Sequence, residues 1–163
     1  MVERGRTLVG AARSFDSRAN LRGLWKVPGA VPRDPVDWER RGDEPVSVLV
    51  VDDQESFLAA LREVVAATEG FELVGEATSG ERALAAADEL SPQFVIMDKR
   101  MPGLGGVEAT RLITSRHPNI VVLIVSVEDP HAHVLRSSGA AGFIRKQDLS
   151  PRVLLDLWRE HGQ

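Results

Sequence analysis

The chain has 163 residues, of which 43% are hydrophobic and 27% charged, a composition typical of one globular domain with a substantial core. Its net charge of -4 gives no reason to expect nucleic acid or a membrane surface as a partner. Cysteine is absent, which excludes disulfides and thiolate sites, and no apolar run suits a signal peptide or a membrane span, so a cytoplasmic location is expected.

Residues 1–45 differ in amino-acid composition from the rest of the chain. They contain four of the nine prolines and two of the three tryptophans. The proline spacing argues against a long helix or a central strand after Trp25. We interpret residues 1–45 as a flexible, proline-rich extension and residues 46–163 as the domain. The alternative is a segment that docks through Trp25 or Trp38.

From residue 46 onwards, short apolar runs alternate with helical patterns. The first helix carries Phe57 and Leu61 on its apolar face, and Gly70 closes it. Ser79 is the expected N-cap of the second helix, which runs to Leu90 and turns Leu90 inward. Strands are predicted at 46–51, 71–77, 94–97, 120–125 and 143–145, and the last three helices at 107–117, 129–138 and 150–161. Five strands alternating with five helices predict an α/β fold, a parallel sheet with helices on both faces.

Two of these strands end in acidic residues. The stretch FVIMDKRMPGLGG, residues 94–106, is an apolar run that stops at Asp98 before a loop of turn residues. VSVLVVDD, residues 46–53, ends in Asp52 and Asp53. Apolar runs bounded in this way are typical of parallel strands covered on both faces. Because ligands bind beyond the carboxyl ends of such strands, we expect the three carboxylates to share one small space.

Three carboxylates this close need a cation or raised pKa values. Two of them about 4 Å apart repel each other by roughly 4 kcal/mol at an effective dielectric of about 20. Carboxylate oxygens suit Mg²⁺, and a carboxylate can also attack a phosphoryl group and hold it as an aspartyl phosphate. Ser126 after the fourth strand and Lys146 after the fifth would stabilise that transfer with a hydroxyl and an ammonium group. Taken singly, such residues are more often caps or solvated side chains, and their shared position at strand ends favours the site.

Four stretches together resemble the receiver domain of bacterial two-component response regulators. They are VLVVDDQ, VIMDKRMPGLGG, VVLIVSVED and GAAGFIRKQDL, in that order, and the resemblance covers about residues 47–161. It implies the flavodoxin-like, doubly wound fold of five parallel strands in the order 2-1-3-4-5. It also implies a phosphoacceptor function in a phosphorelay.

The resemblance assigns roles to individual residues. Asp98 would be the phosphoacceptor, with Ser126 and Lys146 as its hydroxyl and lysine partners. Mg²⁺ would be held by Asp98 itself and by the further ligands Asp52, Asp53 and the backbone carbonyl of Arg100. Ser126 and Phe143 would form the conformational switch.

Partners also follow from the resemblance. The phosphoryl donor would be a sensor histidine kinase or a phosphotransfer protein, and a downstream protein would bind the switched surface. Only Gly162 and Gln163 follow the last helix, so a stand-alone receiver without a direct nucleic-acid partner is expected, and a homodimer is possible. Gln147 follows Lys146 where many receivers have proline, which leaves the geometry of that loop open.

Two further hypotheses concern function. Arg100 and Glu128 each lie two residues beyond a site residue, so their opposite charges could pair near the phosphoryl group and prolong the phosphorylated state. The alternative function is a phosphorylation-independent interaction module with the same fold. A small-molecule phosphohydrolase is a third class, but the loops are too short to supply a substrate-binding cap.

Overall fold

The computed structural model describes residues 44–129 and 131–162. The expectations for residues 1–43, including Trp25 and Trp38, lie outside the described residues. None of the helices in the described ranges has the length and apolar character that crossing a bilayer requires.

The described residues form five strands that alternate with five helices. The strands are β1 (Val46–Val51), β2 (Phe71–Ala77), β3 (Phe94–Asp98), β4 (Val121–Ser126) and β5 (Gly142–Arg145). The helices are α1 (Glu55–Ala66), α2 (Gly80–Leu90), α3 (Gly106–Arg116), α4 (Ala132–Ser138) and α5 (Pro151–His161). A single 3₁₀ turn, Lys146–Asp148, joins β5 to α5.

The predicted cap of α2 is confirmed. The Ser79 side-chain oxygen accepts a hydrogen bond from the backbone N–H of Arg82 at 3.2 Å. Ser150 caps α5 in the same way, accepting from the N–H of Val153 at 3.4 Å. Each bond satisfies one of the backbone donors that the first turn of a helix leaves free.

All strands of the sheet are parallel, in the order β2-β1-β3-β4-β5, as predicted. β1 is paired with β2 on one side and with β3 on the other, so the chain reverses its direction of winding at β1. In doubly wound sheets, the crevice at such a reversal is where ligands bind. The acidic ends of β1 and β3 lie side by side at this point.

Alternate residues of the buried strands face two separate core layers. Val48 and Val50 pack with residues of α1 and α5 such as Leu58 and Leu154. Leu49 and Val51 lie on the opposite face, in a layer whose other members come mainly from α2, α3 and β3. Because successive strand side chains point to opposite faces, a continuous apolar run covers both layers at once.

The prediction that Leu90 faces inward is wrong. Leu90 is 41% exposed, whereas Gly80, Ala83 and Ala87 form the buried face of α2. These small residues let α2 lie close to the sheet, which rotates Leu90 to the rim. There it covers Gly75, where an added Cβ would collide with the Leu90 side chain.

Candidate functional site

The carboxyl edge of the sheet gathers the side chains that the sequence predicted to act together. Asp52 directly follows β1, Asp98 ends β3, Ser126 ends β4 and Lys146 directly follows β5. The strands are in register near these ends, since Asp98 is paired with Val125. Asp98 and Ser126 therefore project from the ends of buried strands, while Asp52 and Lys146 come directly after such strands.

Asp52, Asp53 and Asp98 form one acidic cluster. One carboxylate oxygen from each residue lies within 4.8 Å of the other two. Asp52 is fully buried and Asp98 is 4% exposed, while Asp53 is exposed at the mouth of the cluster. Two buried carboxylates with an exposed third leave an approach from solvent on the side of Asp53.

Lys146 supplies the positive charge of the site. Its Nζ lies 2.6 Å from Oδ2 of Asp52 and 3.3 Å from Oδ1 of Asp98. The Lys146 side chain is only 12% exposed, so both ion pairs are shielded from water. Buried charges are stable only when they are paired, and Lys146 pairs with both buried carboxylates.

The single positive charge of Lys146 does not neutralise the three carboxylates. Burial and the neighbouring charge of Asp52 raise the pKa of Asp98 to about 6, while Lys146 and a backbone hydrogen bond from Arg100 act in the opposite direction. The carboxylate thus retains an affinity for further positive charge.

The donor set fits Mg²⁺. Three carboxylates at the rim of a sheet offer the hard oxygen ligands that this ion prefers, with free positions for water or phosphate. The raised pKa of Asp98 reflects repulsion between carboxylates, which a divalent cation in the cluster would relieve. The predicted ligand role of the Arg100 backbone carbonyl stays a prediction.

Ser126 lies next to this cluster, and its hydroxyl oxygen accepts a backbone hydrogen bond. The residue is 2% exposed, and its Oγ accepts a hydrogen bond from the backbone N–H of Glu128 at 3.2 Å. An oxygen held in this way keeps its own proton available as a donor. The turn that follows β4 therefore positions both Ser126 and Glu128.

Glu128 joins the two basic residues that follow Asp98. A nitrogen of the Arg100 guanidinium lies 2.7 Å from the Glu128 carboxylate, which is the pairing predicted from their spacing. Lys99 Nζ lies 3.8 Å from the same carboxylate. The contact with Lys99 was not predicted from the sequence, because a lysine in a loop is normally solvated.

Phe143 is fully buried on β5. It forms a small cluster with Ile124 and Ala140, against which Val107 packs. Lys99 Nζ lies 5.7 Å from the centre of the Phe143 ring. Lys99 thus connects the ring predicted to act in the switch with Glu128.

The loop between β3 and α3 is held tightly at both ends. A Cβ on Gly106 would overlap the backbone oxygen of Asp98, so only glycine allows this close approach. Further along, Oε1 of Glu81 accepts a hydrogen bond from the backbone N–H of Leu104 at 3.0 Å. Glu81 was missed by the sequence reasoning, since an acid in the first turn of a helix is ordinary there.

An apolar groove of about 360 Å³ opens beside the cluster. It is lined by residues of α1 and of the turn after β5, and Asp52 and Lys146 also line it. Phe57 and Val64 contribute to its wall, as does Val127, whose side chain is 67% exposed. A partner that fills this groove would contact the acidic cluster directly.

Comparison with known proteins agrees with this geometry. The family described as "Response regulator receiver domain" matches residues 48–157, about two thirds of the chain. The chain belongs to the response regulator receiver family. The matched residues include the acidic cluster as well as Ser126 and Lys146. The match assigns the chain to two-component signalling.

Individual relatives support the same assignment. The chain is 45% identical to Response regulator GacA of Pseudomonas protegens over 103 residues, which are 62% of this chain and 48% of that protein. The receiver domain is similar in structure to the response regulator domain of Thermotoga maritima CheB, with a TM-score of 0.64 and 30% identity, covering 72% of this chain and 97% of that one. It is also similar to a CheX-CheY-BeF3-Mg+2 complex from Borrelia burgdorferi, with a TM-score of 0.63 and 26% identity over 71% of this chain and 88% of that one. This chain spans about half the length of the curated relatives that it matches.

Proposed function

We propose that this receiver domain accepts a phosphoryl group on Asp98 from the phosphohistidine of a sensor histidine kinase or phosphotransfer protein. The observation that carries the proposal is the position of Asp98, buried between Asp52, Asp53 and the Lys146 ammonium. A carboxylate in such a place is shielded from water and flanked by groups that neutralise phosphoryl oxygens. These are the conditions for phosphoryl transfer, which depends mostly on positioning and electrostatic stabilisation.

The residues divide the work as follows. A carboxylate oxygen of Asp98 forms the bond to phosphorus while the bond from phosphorus to the donor imidazole nitrogen breaks, and the electron pair leaves with that nitrogen. The Lys146 ammonium and the Ser126 hydroxyl donate hydrogen bonds to the phosphoryl oxygens. Mg²⁺ would be held by Asp52, Asp53, Asp98 and the backbone carbonyl of Arg100, and when bound it would neutralise developing negative charge.

The proposal that Mg²⁺ is the cofactor has support from the donor set and from one related structure. The Borrelia burgdorferi complex named above contains Mg+2 and BeF3 by its title. In this chain, the raised pKa of Asp98 favours a cation beside it. Both observations favour a divalent ion in the acidic cluster.

We extend the proposal to a switch formed by Ser126 and Phe143. Phosphorylated Asp98 would draw the Ser126 hydroxyl inward and away from the Glu128 N–H. Phe143 is already buried here, so the phosphoryl group would hold this arrangement of the ring rather than create it. In energetic terms, phosphorylation biases an equilibrium that exists without it, and the surface of α4, β5 and α5 reports the change to a downstream protein.

Labelling by acetyl phosphate tests the phosphoacceptor assignment. The full chain with Mg²⁺ should be labelled, and Asp98→Asn should abolish labelling because the amide cannot form the acyl phosphate. Asp148→Asn is the matched control, since Asp148 is exposed and pairs with Arg145. Undiminished labelling of Asp98→Asn would refute the assignment.

We further propose that the pair of Arg100 and Glu128 prolongs the phosphorylated state. The two side chains meet at 2.7 Å and are both exposed, and each follows a site residue by two positions, so the pair can limit the access of water to the phosphoryl group. Because the pair is largely exposed, its strength depends on geometry and falls with salt. Its effect is expected on access to the phosphoryl group rather than on stability.

Glu128→Ala is expected to lose the phosphoryl group several times faster than wild type. The measurement is the decay of labelled protein after removal of acetyl phosphate. Glu108→Ala, which breaks the exposed pair of Glu108 and Arg111 on α3, serves as the control. An unaltered decay rate in Glu128→Ala would count against the proposal.

The remaining expectations about partners stay predictions. These are a downstream protein target, no direct nucleic-acid partner, a possible homodimer and a cytoplasmic location. The phosphorylation-independent module is the less favoured alternative, because a module that signals by binding alone has no need of buried carboxylates paired with a lysine that is only 12% exposed. A titration in which the full chain binds no Mg²⁺ would favour that alternative.

A further inference from the structure

We propose that Phe57 is a positioning residue that holds the Lys146 ammonium against Asp52 and Asp98. The inference rests on the proposed function, because Lys146 acts there as the group that neutralises the phosphoryl oxygens. Phe57 itself contacts no reacting atom. It acts through Lys146.

The geometry places the ammonium between a ring and two carboxylates. Lys146 Nζ lies 3.5 Å from the centroid of the Phe57 ring. Asp52 and Asp98 approach the same nitrogen at 2.6 and 3.3 Å. A cation within about 6 Å of an aromatic centroid is attracted by the negative face of the ring, and the attraction is strongest where water is excluded. Since the Lys146 side chain is 12% exposed, the contact meets both conditions.

Lys146 lies at the edge of the core rather than within it. It is the first residue of a 3₁₀ turn that contains no buried residue, and its ammonium group is carried on a flexible four-carbon chain. By contrast, Phe57 lies in the first turn of α1, which is anchored to the sheet through Leu58 and Leu61. A side chain from a rigid helix thus fixes the position of a charge that comes from a loop.

Phe57 does not have the packing of an ordinary core residue. In the described part of the chain, neither core layer includes it among its buried or partly buried hydrophobic members. The rings of Phe71, Phe94 and Trp158, by contrast, contact one another edge-to-face or at a tilt in the core. The contact with Lys146 is thus a specific interaction of a ring that lies outside both core layers.

The ring also connects the groove with the site. Phe57 and Lys146 line the apolar groove together with Asp52. Any group that enters the groove from solvent would displace water from the exposed side of the ring. The Phe57 contact would then strengthen at the moment when a bound donor needs Lys146 in place.

Two substitutions of Phe57 distinguish the effect of its aromatic ring from the effect of its size. Phe57→Leu keeps an apolar side chain of similar size but removes the ring, whereas Phe57→Tyr keeps the ring. Phe71→Leu is the matched control, because it makes the same chemical change at a Phe that packs 5.8 Å from Phe94 in the core. All variants are made in the full chain.

The first measurement is spectroscopic and needs neither Mg²⁺ nor phosphate. The ring current of Phe57 should move the Lys146 Hε resonances upfield in wild type and in Phe57→Tyr, and Phe57→Leu should return them to the values of a solvated lysine. Phe71→Leu should leave them in place even though it lowers stability. Equal Lys146 shifts in wild type and Phe57→Leu would overturn the proposal.

The second measurement is the rate of labelling by acetyl phosphate with Mg²⁺. Phe57→Leu should be labelled roughly three- to tenfold more slowly than wild type, with Phe57→Tyr close to wild type. If Phe57→Leu is labelled at the wild-type rate, or if Phe57→Tyr is as slow as Phe57→Leu, the positioning role is wrong. If wild type itself is not labelled, the proposed function fails, while the spectroscopic result still decides whether the ring holds Lys146.

Discussion

Burial and the neighbouring Asp52 together disfavour the ionised form of Asp98 more than Lys146 favours it. Burial removes its hydration, and the Asp52 carboxylate repels it, so the pKa rises to about 6 even with Lys146 at 3.3 Å. The folded protein therefore binds a proton at Asp98 more tightly than the unfolded chain does, whose pKa is near 3.8. Stability therefore falls as the pH rises from about 4 to about 6, because the unfolded chain ionises Asp98 in this range before the folded protein does, and it stays lower at higher pH. The same surroundings favour a cation beside Asp98.

Asp98→Asn should stabilise the metal-free protein at neutral pH. Without the titratable carboxyl, the free energy of unfolding should exceed that of wild type by about 1–3 kcal/mol at neutral pH. The difference should shrink as the pH falls from about 6 towards about 4, where wild-type Asp98 becomes protonated. Urea unfolding in EDTA across this pH range provides the measurement. A wild type that is the more stable protein at neutral pH would contradict this account of the site.

At the scale of elements, the junction of β3 and α3 sets the position of the phosphoacceptor. Gly106, the first residue of α3, packs directly onto the backbone oxygen of Asp98, and its N–H donates to the Lys99 carbonyl at 3.0 Å. On the other side, Gly80 and Glu81 at the start of α2 hold Leu104. Two helix starts thus fix the loop that carries Arg100.

Gly106→Ala should destabilise the protein by about 3 kcal/mol, because the added methyl group overlaps the Asp98 backbone and the helix must move. Gly105→Ala is the control. Its new Cβ would lie 3.8 Å from the Lys99 oxygen, an ordinary contact, and its φ of -69° suits alanine. Thermal unfolding of both variants makes the comparison. Equal losses in the two variants would show that the close approach at Gly106 does not matter.

At the scale of the whole molecule, the doubly wound topology brings distant parts of the chain to one corner. β1 and β3 are adjacent in the sheet, and β4 and β5 continue it on the same side, so four strand ends face one crevice. The two apolar layers on either face keep these ends in place. Stability and site geometry therefore depend on each other, and a ligand of the site should stabilise the entire receiver domain.

Mg²⁺ should raise the unfolding midpoint of the full chain. At a concentration about 100-fold above the dissociation constant, a ligand of the folded state adds about 2.7 kcal/mol to the free energy of unfolding. Thermal unfolding in Mg²⁺ and in EDTA measures this gain. An Asp53→Asn/Asp98→Asn double variant should show little of it, since two of the three carboxylates are gone. Identical midpoints for wild type in Mg²⁺ and EDTA would argue against a metal site.

The sequence by itself determined the order of the elements and the convergence of Asp52, Asp53 and Asp98. Both follow from local signals, since apolar runs mark buried strands, polar residues mark their ends, and parallel strands bring those ends to one edge. The cap at Ser79 was equally local. These features need no knowledge of how one helix lies against another.

Only the tertiary structure decided how the helices are rotated and which side chains meet across the sheet. The exposure of Leu90, the contact of Phe57 with Lys146 and the closeness of Lys99 to Glu128 each depend on packing between elements far apart in sequence. Periodicity defines the apolar face of a helix but not its rotation to within one residue, and a lysine in a loop carries no sign of its partner. The long-range contacts that complete this site are therefore a property of the packed domain, since the free energy that selects them is gained only when the core forms.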